Sequence, residues 1–442
     1  MPRCCLILLA LAATVSDAGD PDRGLRFLLN EPVLPPDFDD GVIENVWRLW
    51  PAGERAAVED LPEADRRAAV FARYGLQPRP ENPRLAAGYV RDADGDWSMN
   101  CFACHAGSVA GGPTRYGLPN THTALHSLTE DVLATKLRQF KLPSHMDVGH
   151  KYIPLNRTDG TTNAVVFGVA LGAGRDRDMN PTGRRAKHVV HHDLDAPPWW
   201  NVKKKRSLYA DGFAPKNARV LMQFMMLPVN DAERFYGWEK DFEDVLAFIE
   251  SVEPPEWPFG VDAELAGRGR VAFEENCSRC HGTYGDDWTY PETIVPIEEV
   301  GTDRVRLDAL TQEHRRWMKE GWLSRYGEDD VLLDPGGYVA PPLDGIWASA
   351  PYLHNGSVPT LWHLMHPADR PAVWRRTKDG YDEGRVGLAF EEVDAVPADA
   401  TDAERRGYRD AGRFGMSNAG HDFPDELTEP QKRAVLEYLK TL

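Results

Sequence analysis

Past its first eighteen residues the chain has no cysteine to spare. It holds six cysteines in 442 residues, and the four beyond residue 18 all fall in two short motifs, Cys101-Phe102-Ala103-Cys104-His105 and Cys277-Ser278-Arg279-Cys280-His281. That leaves nothing for a framework of structural disulfides. Beyond the N-terminus no apolar run is long enough to cross a bilayer, and no low-complexity or disorder-prone tract is present. Positive charge is also scarce, with 51 Lys and Arg against 69 Asp and Glu, a net charge of −18. Such a balance speaks against nucleic acid or an anionic membrane as the partner and leaves room for a basic soluble redox protein. The length exceeds what one compact core accommodates and suits two domains or three.

Residues 1–18 read as a signal peptide. Arg3 opens it, Cys4 to Val15 form a short apolar run, and Ser16 and Ala18 supply the small residues of a cleavage site. Cleavage after Ala18 removes Cys4 and Cys5 and predicts a soluble periplasmic or secreted protein.

Cys-x-x-Cys at a helix start places two sulfurs on one face, matched to the two vinyl groups of a haem, and the next histidine lies under the ring to ligate iron. A thioredoxin-like dithiol would not need that histidine twice. A zinc ribbon wants its cysteine pairs about 15–20 residues apart, whereas these are separated by most of a domain. The motifs therefore predict two covalently bound haem c groups, on Cys101, Cys104 and His105 and on Cys277, Cys280 and His281.

Helical patterns frame both motifs. Asp262 to Phe273 reads as an amphipathic helix with Leu265 and Phe273 as anchors, running into Cys277. Thr428, Pro430 and Gln431 mark a capped helix start, followed by a stripe of Ala434, Val435, Tyr438, Leu439 and Leu442. Earlier, Trp238 to Val252 carries Phe242, Val245, Leu246, Ile249 and Val252 on one face, and Glu253 to Pro258 stops it. Each haem motif is thus followed by a closing helix, which predicts a diverged duplication. The expected architecture is mostly α: two tandem cytochrome c-like haem domains with long irregular loops, over residues 19–253 and 261–442, with 254–260 as linker.

Three segments resemble the bacterial di-haem cytochrome c peroxidase superfamily, which includes the methylamine-utilisation di-haem enzymes and the di-haem rubber oxygenases. Ala350-Pro351-Tyr352-Leu353-His354-Asn355-Gly356 is similar to the family's Ala-Pro-Tyr segment. Gly160 to Phe167 resembles a first-domain segment near the first haem, and Gly420-His421-Asp422-Phe423 looks most like the rubber-oxygenase branch. The resemblance implies His421 as the distal ligand opposite His281, with Met365 and His366 as rivals, and His354, inside the Ala-Pro-Tyr segment, reads as a residue that packs beside or supports a ligand rather than as a ligand itself. For the first haem it implies His122 as distal ligand, with His126 behind it and an open iron as the other case. Trp199 and Trp200 become candidates for electron relay between haems. The family's acid–base glutamate has no counterpart, because the matching region, Arg219 to Leu227, offers only Gln223, which puts peroxidase activity in doubt.

Some tempting signals read as ordinary structure. His188, His191, His192, Asp193 and Asp195 precede a double proline and are expected to line solvent rather than hold a metal. Asp92 to Asp96 reads as a turn rather than a calcium loop. Lys203 to Arg206 reads as a solvated basic run. The functional expectation is an oxidoreductase that passes electrons between two haems and carries out peroxide or oxygen chemistry at the first, its partners a soluble redox protein and a small oxidant. The alternative is an electron-transfer cytochrome with two six-coordinate haems.

Overall fold

The structure, a computed structural model, describes residues 19–442; the expected signal peptide lies outside the described residues. Helices dominate, and the sheets are small, the two largest having three strands each.

Two crossed helix pairs organise the chain. In the first half, Pro21–Asn30, capped by the Asp20 side chain, packs on Ala232–Ser251, which starts six residues before the expected Trp238 because Asp231 caps it. Phe242, Val245 and Ile249 are buried on its inner face, and Phe27 meets Phe242 edge-on at 5.5 Å. In the second half, Ala263–Asn276 crosses Glu429–Leu439, whose Thr428–Gln431 capping box is formed. There Phe273 meets Tyr438 at 5.5 Å. A glycine sits at each crossing. A Cβ on Gly24 would lie 2.1 Å from the Asp244 carbonyl oxygen, and one on Gly269 would lie 1.9 Å from that of Ala434. Both pairs thus cross with backbone nearly in contact, in the same way.

The halves interlock. The helix Gln312–Glu320 and the turn after it belong to the first half's core: Trp322 packs edge-on against Phe235 at 6.1 Å, and Trp322 and Leu323 are buried. A three-stranded antiparallel sheet has Val373–Asp382 between Gly387–Glu392 and Tyr408–Asp410. The segment around its third strand also leans on the first half. Arg413 pairs with Asp193 at 3.0 Å, and the buried Arg409 donates to the Asp159 carbonyl at 3.2 Å. This corrects the expectation that His192 and Asp193 line solvent. Both are buried, because a distant basic residue reaches across to neutralise the aspartate. The basic run is likewise paired, Lys203 with Glu253, Lys204 with Asp344 and Arg206 with Glu292. Asp92 to Asp96 forms the expected turn, between the strands Tyr89–Arg91 and Asp96–Met99.

Behind the first half's sheet lies a buried carboxyl. Asp37 is 5% exposed, and neither carboxylate oxygen has a hydrogen-bond partner. Burial pushes its pKa up to about 8, with Lys136 opposing the rise and Asp147 adding to it.

Two predictions follow from this packing. In the helix Ala263–Asn276, Gly267 faces open space, so Gly267→Ala should stabilise the protein by about 0.5–1 kcal/mol. Gly269→Ala, two residues on, should destabilise it by about 1–3 kcal/mol through overpacking; denaturant unfolding of both variants checks the contrast. Asp37 binds its proton more tightly folded than unfolded. Its contribution to stability is therefore full below about pH 4 and is lost as pH rises towards about 8. Asp37→Asn should remove that loss, raising the unfolding midpoint at pH 8 more than at pH 5.

Candidate haem sites

The second motif begins where its helix ends. Cys277 caps Ala263–Asn276, its N–H donating to the Phe273 carbonyl, and Ser278–His281 forms one further turn. Gly282 follows at φ 80°, with a Cβ there 1.9 Å from the Thr289 carbonyl oxygen, so only glycine fits. The first motif follows the strand Asp96–Met99. Asn100 fixes it, its amide donating to the Leu28 and Ala87 carbonyls and its oxygen accepting from the Phe102 N–H.

The four motif thiols are half-buried and not disulfide-bonded. Burial pushes the Cys101 thiol up to about 12 and those of Cys104 and Cys277 up to about 11. A redox dithiol has a depressed pKa instead. Neutral, paired thiols beside an apolar wall suit thioether attachment.

Both histidines are held alike. His105 Nδ1 donates to the Pro197 carbonyl at 3.1 Å, and His281 Nδ1 donates to the Pro341 carbonyl at 2.9 Å. A carbonyl can only accept, so each Nδ1 carries the proton and each Nε2 keeps its lone pair for a metal. Burial holds both rings neutral, His105 down to about 4. The two acceptors lie in matching sequences, Ala196-Pro197-Pro198 and Ala340-Pro341-Pro342. Sequence reasoning missed these prolines, although the repeated Ala-Pro-Pro after each motif was a usable signal.

The sites differ on the opposite side. The rings of His281 and His421 are 6.2 Å apart between centroids. Metal–imidazole bonds are about 2 Å long, so two neutral imidazoles at this separation would hold one iron. The donor set thus fits an iron between them. His421 reaches this place through two successive left-handed residues, Gly420 at φ 82° and His421 at φ 55°, and its N–H donates to the Val300 carbonyl at 2.6 Å. Gly420 is obligatory there, since a Cβ would lie 2.3 Å from Gly301. Burial, with His281 and Arg370 nearby, holds the His421 ring neutral, down to about 3.

His366 stacks on Trp362 at 4.2 Å and uses both ring nitrogens, on the Trp362 carbonyl and on Glu429. Met365 is buried in the apolar cluster around the crossed helices. His354 stacks on Tyr338 at 4.5 Å.

No histidine ring among the described residues is in contact with His105. Among the described residues the one aromatic ring in contact with His105 is Trp199, stacked at 4.9 Å. His122 is half-buried, held down to about 3 by burial and by Arg376 and Arg409. His126 faces His150 at 5.3 Å and Glu130 at 3.7 Å. Gln223 is buried, its amide donating to the Val220 carbonyl and its oxygen resting against Gly168. That glycine is in the helix Ala164–Ala173, whose Phe167 packs in the same cluster as Cys104.

Trp199 and Trp200 fall between the two motifs. Trp199 covers His105, while Trp200 Nε1 donates to the Asp344 carbonyl at 2.6 Å and Asn201 donates to the Pro342 carbonyl at 3.0 Å. The two Ala-Pro-Pro loops are thereby bonded to each other. Asp195, on the first loop, is a buried carboxyl raised well above its usual range by burial. Its N–H donates to the His354 carbonyl.

His421→Ala is expected to convert one low-spin haem to high-spin, read by electron paramagnetic resonance of the oxidised protein. Met365→Leu should leave that signal unchanged. Loss of the signal in the methionine variant alone would move the ligand to Met365.

Residues 337–375 match the family model described as RoxA-like, cytochrome c-like; the stretch contains Pro341 and the Ala-Pro-Tyr segment. The chain is similar to two curated proteins of Sinorhizobium fredii (strain NBRC 101917 / NGR234). It is 32% identical to the uncharacterized protein y4iM over 204 residues, covering 40% of this chain and 45% of that protein. It is 28% identical to the uncharacterized protein y4iJ over 258 residues, covering 43% of this chain and 41% of that protein. The matches thus span less than half the length of these relatives. The family match supports a c-type cytochrome related to the rubber oxygenases, with haem c bound covalently.

Proposed function

We propose that the chain is a periplasmic or secreted di-haem c-type cytochrome acting as an oxidoreductase, with tandem haem domains over 19–253 and 261–442. The observation that carries this reading is an asymmetry: the His281 and His421 rings lie 6.2 Å apart and would together hold one iron, whereas His105, held by an equivalent prolyl carbonyl, has no second imidazole in ring contact among the described residues. Haem c supplies one-electron redox chemistry and, where a coordination position is open, a place for peroxide or oxygen. The second site is then the electron-transfer site and the first the reactive one.

The chain's own residues support the division. Each prolyl carbonyl fixes the imidazole tautomer and makes its ring more electron-rich. The bonded loops supply a short covalent and hydrogen-bonded route, from Pro197 through Trp200 and Asp344 to Pro341, along which an electron passes between the two histidines. Phe167 and Leu155, in the cluster against which Cys104 packs, give the first site an apolar flank. A basic soluble redox protein suits the net charge of −18 as electron partner.

Gln223 favours a second reading. A carboxamide cannot shuttle a proton, so peroxide cleavage at the first site lacks the acid–base side chain it needs. On that reading the chain is an electron-transfer cytochrome.

The deciding experiment begins with mass spectrometry, expected to show two haems per chain, with Cys277→Ser and Cys280→Ser together removing one. A single haem or bound zinc would end the proposal. Carbon monoxide added to the reduced protein is then expected to bind at one haem, lost in His105→Ala and kept in His122→Ala. If the wild type binds none and His122→Ala opens a site, the electron-transfer reading stands instead.

A further inference from the structure

The three most exposed large apolar side chains among the described residues, Phe140, Leu142 and Tyr152, lie in one short stretch. Phe140 is 98% exposed and Leu142 88%, and Leu137, Val148 and Tyr152 are each more than half exposed. They surround the end of the helix Leu125–Arg138 and the short helix His145–Gly149.

Their exposure is built in. Phe140 sits at φ 57°, which turns the chain sharply after the helix. On either side the loop is clamped: Gln139 donates to the Gly41 carbonyl at 2.9 Å, and Lys141 pairs with Asp39. The Asp147 carboxylate is bonded to the buried Lys136, which draws the second helix, and Val148 with it, beside Leu137. Phe140 and Leu142 are thereby held outward on a fixed base.

Charge selects the occupant. From 136 to 152 the sequence has four cations, Lys136, Arg138, Lys141 and Lys151, and one acid, Asp147. That acid is buried against Lys136 and Asp39, the anion at the loop's flank, is paired with Lys141, which leaves Arg138 and Lys151 as the exposed unpaired charges of the stretch. The whole-chain charge speaks against an anionic membrane, but at about 0.1 M salt, charges more than about 10 Å away are largely screened. At a contact made by this loop the local positive charge decides. A folded partner would need deep pockets for side chains that project so far, whereas a fluid bilayer accepts them as they stand.

We propose that residues 137–152 dock the protein on an anionic lipid surface, with Phe140 and Leu142 entering the acyl boundary and Arg138 and Lys151 meeting headgroups. The inference does not depend on the haem chemistry proposed above.

The test is sedimentation of the holoprotein with vesicles of phosphatidylglycerol and phosphatidylcholine in equal parts, and with pure phosphatidylcholine. The wild type should bind the anionic vesicles and be released by salt. F140S/L142S should lower that partition about tenfold or more, with an unchanged haem spectrum because these side chains pack on little. R138Q/K151Q should abolish the preference for anionic over neutral vesicles while leaving the apolar tips in place. The proposal is overturned if the wild type binds neither vesicle, or if F140S/L142S binds as the wild type does. It is equally overturned if F140S/L142S only dissolves a dimer seen by ultracentrifugation, which would make the patch an interface between copies.

Discussion

Two hydrogen bonds, from His105 to the Pro197 carbonyl and from His281 to the Pro341 carbonyl, set the arrangement on which the rest of the site depends. A proline offers a carbonyl and no competing N–H, and a second proline after it stiffens the backbone that presents it. Each imidazole is therefore oriented by a rigid acceptor and left with one nitrogen whose lone pair is free. Because Trp200 and Asn201 bond the two loops together, the orientation of one histidine is mechanically tied to that of the other.

The crossed helix pairs serve the same end. Gly24 and Gly269 let the helices of each pair approach until a glycine of one meets the other's backbone, and in the second half this fixes the point from which Cys277 and His281 depart. The motif is only a few residues from the crossing there. In the first half some seventy residues, with their own sheet, intervene between Gly24 and Cys101, so Asn100 has to perform the anchoring instead.

Local features were legible in the sequence. The two motifs, the capping box at Thr428, the anchors of the closing helices and the turn at Asp92 to Asp96 all depend on residues close in the chain. His421 stands out in the sequence only by resemblance, since a histidine after a glycine carries no signal of its own; its position depends on Val300 and Gly301, far along the chain. The prolyl acceptors were hidden for a different reason: any residue offers a carbonyl, and only the fold says which one faces a histidine. The basic run at Lys203 to Arg206 and the acids near Asp193 were misjudged because their partners lie far along the chain, as Arg413 does from Asp193. Sequence composition sees charge, but burial and pairing are long-range facts.

That long-range pairing bears on how the two halves hold together. Trp322 and Leu323 fill the first half's core, while Arg409 and Arg413 satisfy Asp159 and Asp193 inside it. Removing the second half would leave a cavity and at least one buried carboxylate without its cation, each costing several kcal/mol. Against a net stability of about 5–15 kcal/mol for an ordinary domain, neither half has the margin to lose these contacts. The helix pairs repeat, but the cores are shared. The two halves thus depend on each other as one cooperative body, and that dependence keeps the Trp200–Asp344 link between the two histidines in register.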